Sequence, residues 1–219
     1  MDARQTERDS TGSMTDLQSN KYEDFIGWKS FHPDDLWIHD KLILSTKLGY
    51  SCGPRGLPVP KPNMYIIRPI MNLMGMGLGS QFVMIKDRSE DFVPDGFFWC
   101  EKFTGQHLSV DYEDGKQILC LEGIRRKKDP LWKWKEWRKV DKKVPMPEVV
   151  KSLKGDYRYF NIEMIADKII EVHIRLNPNW RHGDYESAIP VFRGEKIRPP
   201  HGYTYISDEN ALRQGFYFK

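Results

Sequence analysis

The chain has 219 residues, enough for one ordinary domain or a compact two-lobed one and enough to bury a core without staples. Aromatic content of 13% excludes disorder over most of the length, and three cysteines without C-x-x-C spacing exclude a disulfide framework or a zinc site. The net charge of +3 hides an asymmetry: residues 124–143 hold ten Lys and Arg against three Asp and Glu, so the rest of the chain is net acidic.

Residues 1–24 are rich in Ser, Thr, Asp and Gln and read as a mobile polar tail. The opening MDARQTERDS is too polar for a signal peptide. Pro33-Asp34-Asp35 opens a helix that runs on through Leu36, Ile38, Leu42 and Leu44, with Asp40-Lys41 inside it. SCGPRGLPVPKPN (51–63) reads as a loop. Strands over 64–70 and 81–87, joined by the glycine-rich 71–80, form a hairpin. The apolar stretch from Met71 to Ile85 is interrupted by Asn72, Gly75, Gly77, Gly79 and Gln81. No membrane span is expected, and the chain reads as cytoplasmic. Further strands are expected over 96–103, 106–115, 116–126 and 159–176, the last folded back at Ala166-Asp167-Lys168. Asp114-Gly115 marks a hairpin turn, and Pro147 to Leu153 forms a short helix. Clustered strands with short connections give an α+β class with mostly antiparallel sheet.

Three groups of residues carry chemistry. Arg68-Pro69 precedes Gly75, Gly77 and Gly79, whose backbone N–H groups can approach an anion closely. No GK[ST] and no helix pattern follows, so the Walker and Rossmann readings fail. Glu101-Lys102-Phe103 ends a strand at Thr104-Gly105. Finally, Glu163 lies on one strand while Glu171, His173 and Arg175 share a face of the next, since residues two apart in a strand point the same way. Glu163 and Glu171 flank a tight hairpin and face each other across it. Two adjacent carboxylates repel unless a cation sits between them, and a hard divalent ion with oxygen ligands fits.

In this order the motifs resemble the ATP-grasp superfamily, from about Asp40 to Asn177. The resemblance implies two small lobes of antiparallel sheet plus helices with nucleotide between them. An N-terminal lobe (25–95) carries the glycine-rich phosphate loop, and a C-terminal lobe (96–180) carries the metal site and a basic-aromatic insertion (124–143). Residues 181–219 form an extension packing on the core. The resemblance assigns ATP to Arg68, Gly75, Gly77, Gly79, Ser80 and Lys86 at the phosphates, to Glu101, Lys102 and Phe103 at the adenine, and to His107 at the ribose. It assigns Mg²⁺ or Mn²⁺ to Glu163, Glu171, His173 and Asn177, and catalytic roles to Arg175 and His173. His173 stands where the family usually has Asn, and Arg68 where it usually has Lys. The implied activity is an ADP-forming carboxylate–amine ligation through an acyl phosphate, with a carboxylate substrate and an amine acceptor. Two other readings stay open: a non-catalytic nucleotide- or nucleic-acid-binding module, and a phosphotransferase. Trp132, Trp134 and Trp137, interleaved with Lys133, Lys135, Arg138 and Lys139, suit a nucleic acid or an acidic polypeptide, or else cover the core while the lysines stay in water.

Overall fold

A computed structural model describes residues 31–71, 77–86, 93–210 and 212–219. The expected tail 1–24 and Gly75 lie outside these residues. Among the described residues, two antiparallel sheets and a few short helices make up the fold.

The smaller sheet has the order β1-β4-β2-β3, formed by β1 (Cys52–Pro54), β2 (Asn63–Pro69), β3 (Gln81–Ile85) and β4 (Phe97–Glu101). The larger sheet has eight strands. They are β5 (His107–Glu113), β6 (Lys116–Ile124), β7 (Glu136–Lys139), β8 (Tyr159–Ile165), β9 (Lys168–His173), β10 (Ser187–Phe192), β11 (Thr204–Ser207) and β12 (Arg213–Phe218). Their order is β11-β12-β10-β7-β6-β5-β8-β9. Asp114 and Gly115, both at positive φ, turn β5 into β6, as the Asp-Gly pair predicts. No helix among the described residues is long and apolar enough to cross a membrane.

Alternation along the large sheet separates a core face from a polar one. Leu108, Val110 and Tyr112 of β5 and Phe160, Ile162 and Met164 of β8 pack together with Ile38, Leu44 and Val172. The alternate residues His107, Ser109, Asp111, Asn161 and Glu163 fall on the opposite face. On that same face a second core forms farther along the sheet, from Leu121, Trp137, Trp180, Ala188, Phe216 and Phe218. Val59, Tyr65, Ile67 and Trp99 fill the small sheet.

The structure corrects several sequence expectations. The helix expected from Pro33 is broken: a 3-10 turn, Pro33–His39, precedes α1 (Lys41–Lys47). Asp40 lies between them in extended conformation and caps α1, its carboxylate accepting the Ile43 N–H at 2.8 Å. Part of the 51–63 loop is strand β1, paired with β4 from Cys52↔Cys100 to Pro54↔Phe98. Because β4 pairs with β1 and β2, the small sheet ends after Glu101, and a boundary at 95/96 would cut it. Residues 124–143 are no simple insertion, since β7 sits inside the large sheet between β6 and β10. Residues 181–219 do more than pack on the core, because they supply three strands of that sheet. Between β7 and β8, the helix expected over 147–153 is the short α2 (Glu148–Lys151).

One glycine holds the basic-aromatic segment in place. A Cβ on Gly123 of β6 would lie 2.7 Å from the Trp134 ring, so the indole lies directly on the strand. Gly123→Ala is expected to lift Trp134 and destabilise the fold by about 1–3 kcal/mol, the usual range for overpacking. A lower urea midpoint with unchanged slope, and altered tryptophan fluorescence, would register it.

Candidate functional site

A cleft of about 1300 Å³ opens between the two sheets. The small sheet contributes Arg68 and, from the turn before β3, Gly77, Gly79 and Ser80. The connection from β4 to β5 contributes Lys102, Phe103 and the stretch to His107. The large sheet contributes Glu163, Glu171, His173, Arg175 and Asn177. Two predicted residues are not part of this wall. Lys86 lies exposed at the end of β3. The Glu101 carboxylate points elsewhere and accepts the Ser51 N–H at 2.9 Å.

The glycine turn is built for backbone presentation. Gly77 and Gly79 have φ of 62° and 82°, and a Cβ on Gly79 would lie 3.0 Å from the Phe97 ring. The connection to β5 is held equally closely. Gly105 has φ 138°, and a Cβ there would meet Ala166 at 2.8 Å, so the linker passes tightly over the β8–β9 turn. Phe103 packs edge-on against Tyr50 at 4.8 Å.

Glu163 and Glu171 are register partners across β8 and β9, and a bulge between Glu163 and Met164 sets the pairing beyond them. Each carboxylate meets a cationic or titratable partner. Lys41 Nζ lies 3.0 Å from Glu171 Oε1, with the two side chains 5% and 16% exposed. His173 Nε2 lies 3.3 Å from the same oxygen, and His107 Nε2 lies 3.3 Å from Glu163 Oε2. Burial alone would raise the Glu171 carboxyl, but Lys41 and His173 reverse this and hold it well below the usual carboxylate range. His107 is flanked by Trp134 at 4.5 Å and Trp137 at 5.7 Å between ring centroids, so the basic-aromatic segment forms a wall of this cleft.

Arg68 is almost fully buried and joins the two sheets. Its Nη1 donates to the Ile170 carbonyl of β9 at 2.9 Å, and its Nη2 to Ser45 Oγ at 3.3 Å. Its Nε is buried with no hydrogen-bond partner among the described residues. Beneath Arg175 lies a polar network that the sequence reading missed. Asp111 is 3% exposed and accepts from Asn161 Nδ2 at 2.8 Å and from the Asn177 N–H at 3.0 Å. Burial pushes its carboxyl up to about 7, against the pull of Asn177, Asn161, Arg175 and His173. Asn177 is wholly engaged: Nδ2 donates to Ser109 Oγ at 3.1 Å, and Oδ1 caps the turn Pro178–Trp180 by accepting the Asn179 N–H. These bonds fix the side chain at the cleft wall. The missed residues did leave a signal, in polar side chains at alternate positions of β5 (His107, Ser109, Asp111) and β8 (Asn161, Glu163).

No protein-family model matches the sequence, and no curated protein matches it. Among solved structures, a protein from Archaeoglobus fulgidus assigned to the ATP-grasp superfamily aligns with a TM-score of 0.51 at 14% identity. The alignment covers 83% of this chain and 64% of that one, so the chain spans less than two thirds of the length of its neighbour. D-alanine–D-alanine ligase from Bacillus anthracis in complex with ATP aligns less well, with a TM-score of 0.40 at 16% identity over 63% of this chain and 55% of that one. The overlap with the archaeal protein, together with two antiparallel sheets facing across a cleft, shows that this chain has an ATP-grasp fold.

Proposed function

We propose that the cleft binds ATP with Mg²⁺ and uses it to activate a carboxylate for attack by an amine. One observation carries this reading. The opposed carboxylates Glu163 and Glu171 line one cleft together with a glycine turn and a buried arginine whose Nε has no partner among the described residues.

The donor set fits the ion. Mg²⁺ is usually held by one or two carboxylates, with substrate phosphates and water completing its shell. Glu163 and Glu171 supply two such groups. Among the described residues no cluster of three or more His, Cys, Asp and Glu could hold a metal ion by itself. When bound there, Mg²⁺ would neutralise phosphate charge. His173 and Asn177 drop out of the proposed ligand set, since one is turned onto Glu171 and the other is engaged in the Ser109–Asp111 network.

The chain's own groups have distinct tasks in this reading. Lys102 and Phe103 border the adenine, while Arg68 Nε and the N–H groups of the glycine turn hold phosphate oxygens. The terminal phosphoryl group passes to a substrate carboxylate oxygen and ADP leaves. An amine nitrogen then attacks the acyl carbon and inorganic phosphate leaves. Arg175 stabilises the oxyanion of that second step. In the 124–143 segment, Trp134 and Trp137 pack on each other and on His107. Its exposed run Arg125–Lys128 is the part suited to an acidic partner. Binding without ligation is the second reading, favoured by His173, which stands where the family usually has Asn and is turned onto Glu171.

Calorimetric titration with AMP-PNP tests the proposal. Affinity is expected to rise roughly tenfold or more, about 1.4 kcal/mol, when Mg²⁺ replaces EDTA. Equal affinity with and without the ion would overturn the metal assignment. Nucleotide binding without acceptor-dependent ADP release would favour the second reading.

A further inference from the structure

The cleft extends well past the opposed carboxylates. It is also lined by strands β10 and β12 and by the loop leading to β7. There Asp208, with a side chain 9% exposed, is surrounded by cations. Arg181 Nη2 reaches its Oδ1 at 3.1 Å, His182 Nε2 reaches its Oδ2 at 3.1 Å, and Arg213 Nη2 lies 3.6 Å from Oδ1. Two permanent positive charges thus share one negative charge, with the Asp208 and Arg213 side chains each 9% exposed and Arg181 reaching in from solvent. Burial pushes the Arg213 guanidinium down, Asp208 counteracts this, and Arg181 adds to it. Arg213 Nε donates to the Asp208 carbonyl at 3.3 Å. Its guanidinium lies over the Phe216 ring at 4.0 Å, and Phe192 and Trp132 add further aromatic wall.

We propose that this corner is an anion subsite, in which Arg181 and Arg213 grip a carboxylate or phosphate group of the acceptor substrate. It deepens the ligase reading and rests on it for the word acceptor. The corner carries a net positive charge that one added oxyanion would balance, and arginine forks suit planar carboxylates and phosphates alike. Its position suits an acceptor too. Arg175 and Arg181 are six residues apart with the turn Pro178–Trp180 between them, so their Cα atoms lie within about 20 Å even for an extended chain. Both arginines line the same cleft. A molecule anchored at Arg213 can therefore present its other end to the acyl group beside Arg175. The aromatic wall selects an apolar body between the two ends.

The test uses the full chain with AMP-PNP and Mg²⁺ present in excess, which keeps oxyanions off the nucleotide phosphate positions. L-Glutamate and inorganic phosphate are titrated separately by calorimetry. Saturable binding of at least one is expected, with Kd on the order of 1 mM. The probe that binds more tightly tells a carboxylate acceptor from a phosphorylated one. Arg213→Met and Arg181→Met are each expected to weaken that binding tenfold or more. Arg181 is exposed, so its variant remains informative should Arg213→Met fold poorly. The subsite is overturned if neither probe binds the wild-type chain, or if Arg181→Met binds both within twofold of wild type. AMP-PNP affinity is measured in the same proteins. Its absence beside arginine-dependent probe binding would remove the nucleotide reading and leave the subsite standing.

Discussion

Glu171→Gln is expected to lower stability by about 3–5 kcal/mol and to abolish the Mg²⁺-dependent part of nucleotide affinity. The stability loss follows from Lys41. Its ammonium is buried against Glu171 at 3.0 Å, and removing one partner of a buried pair leaves the other charge uncompensated. The two effects separate in the double variant Lys41→Met/Glu171→Gln. With both charges gone, the thermal midpoint is expected to recover most of the loss, because an apolar replacement of a buried pair is often neutral. Metal-dependent affinity is expected to stay lost. Calorimetry on all four proteins completes the cycle, and recovery of metal dependence in the double variant would remove Glu171 from the ligand set.

A second large effect is expected at Asp111. A carboxyl whose folded pKa is raised to about 7 from an ordinary 3.8 binds protons more tightly in the folded state. Its contribution to stability is complete below the unfolded value and is lost as pH rises through about 7. At 1.36 kcal/mol per pH unit, the loss between pH 4 and 8 is on the order of 3–4 kcal/mol. Glu171 works in the opposite sense, since its lowered pKa gives stability that is lost as pH falls below the unfolded carboxylate range. Urea midpoints against pH should therefore fall on both sides of an optimum near pH 4–5. Asp111→Asn keeps an acceptor for Asn161 and Asn177 and has no proton to gain. Its midpoint should be flat between pH 5 and 8, while the acid-side decline remains. Asp111→Ala leaves the buried Asn177 N–H without its acceptor and should cost about 1–3 kcal/mol at any pH. A wild-type profile that does not fall between pH 5 and 8 would show that Asp111 is already ionised at pH 5.

The strands from 64 to 126 and the hairpin at 159–173 were legible because apolar residues alternate there between good turn signals. The facing of Glu163 and Glu171 followed from hairpin geometry alone, and the register has them opposite. The partner of Glu171 was not legible. Lys41 lies 130 positions upstream, and only the packing of α1 against β9 brings it close. The C-terminal strands were hidden for a different reason. β10 contains Pro190 and β12 contains Gly215, both of which argue against strand. The structure accommodates each. β10 pairs with β7 only at Ser187 and Ala188, so Pro190 lies beyond that ladder. Gly215 is required because a Cβ there would lie 2.3 Å from the Ile206 carbonyl. β7 escaped notice as four residues, three of them charged, whose strand character comes from neighbours on both sides.

The bond from Arg68 to the Ile170 carbonyl has a consequence for how the molecule behaves in a crowd. Among the described residues β9 is an edge strand, and its sequence KIIEVH includes three β-branched residues, which suit pairing with a further strand. Arg68 occupies one backbone acceptor of that strand, and the Tyr50 hydroxyl meets the adjacent Ile169 backbone. Two side chains thus take positions that an invading chain would need for its ladder. A further strand added along the edge that carries Glu171 is expected to have to displace both.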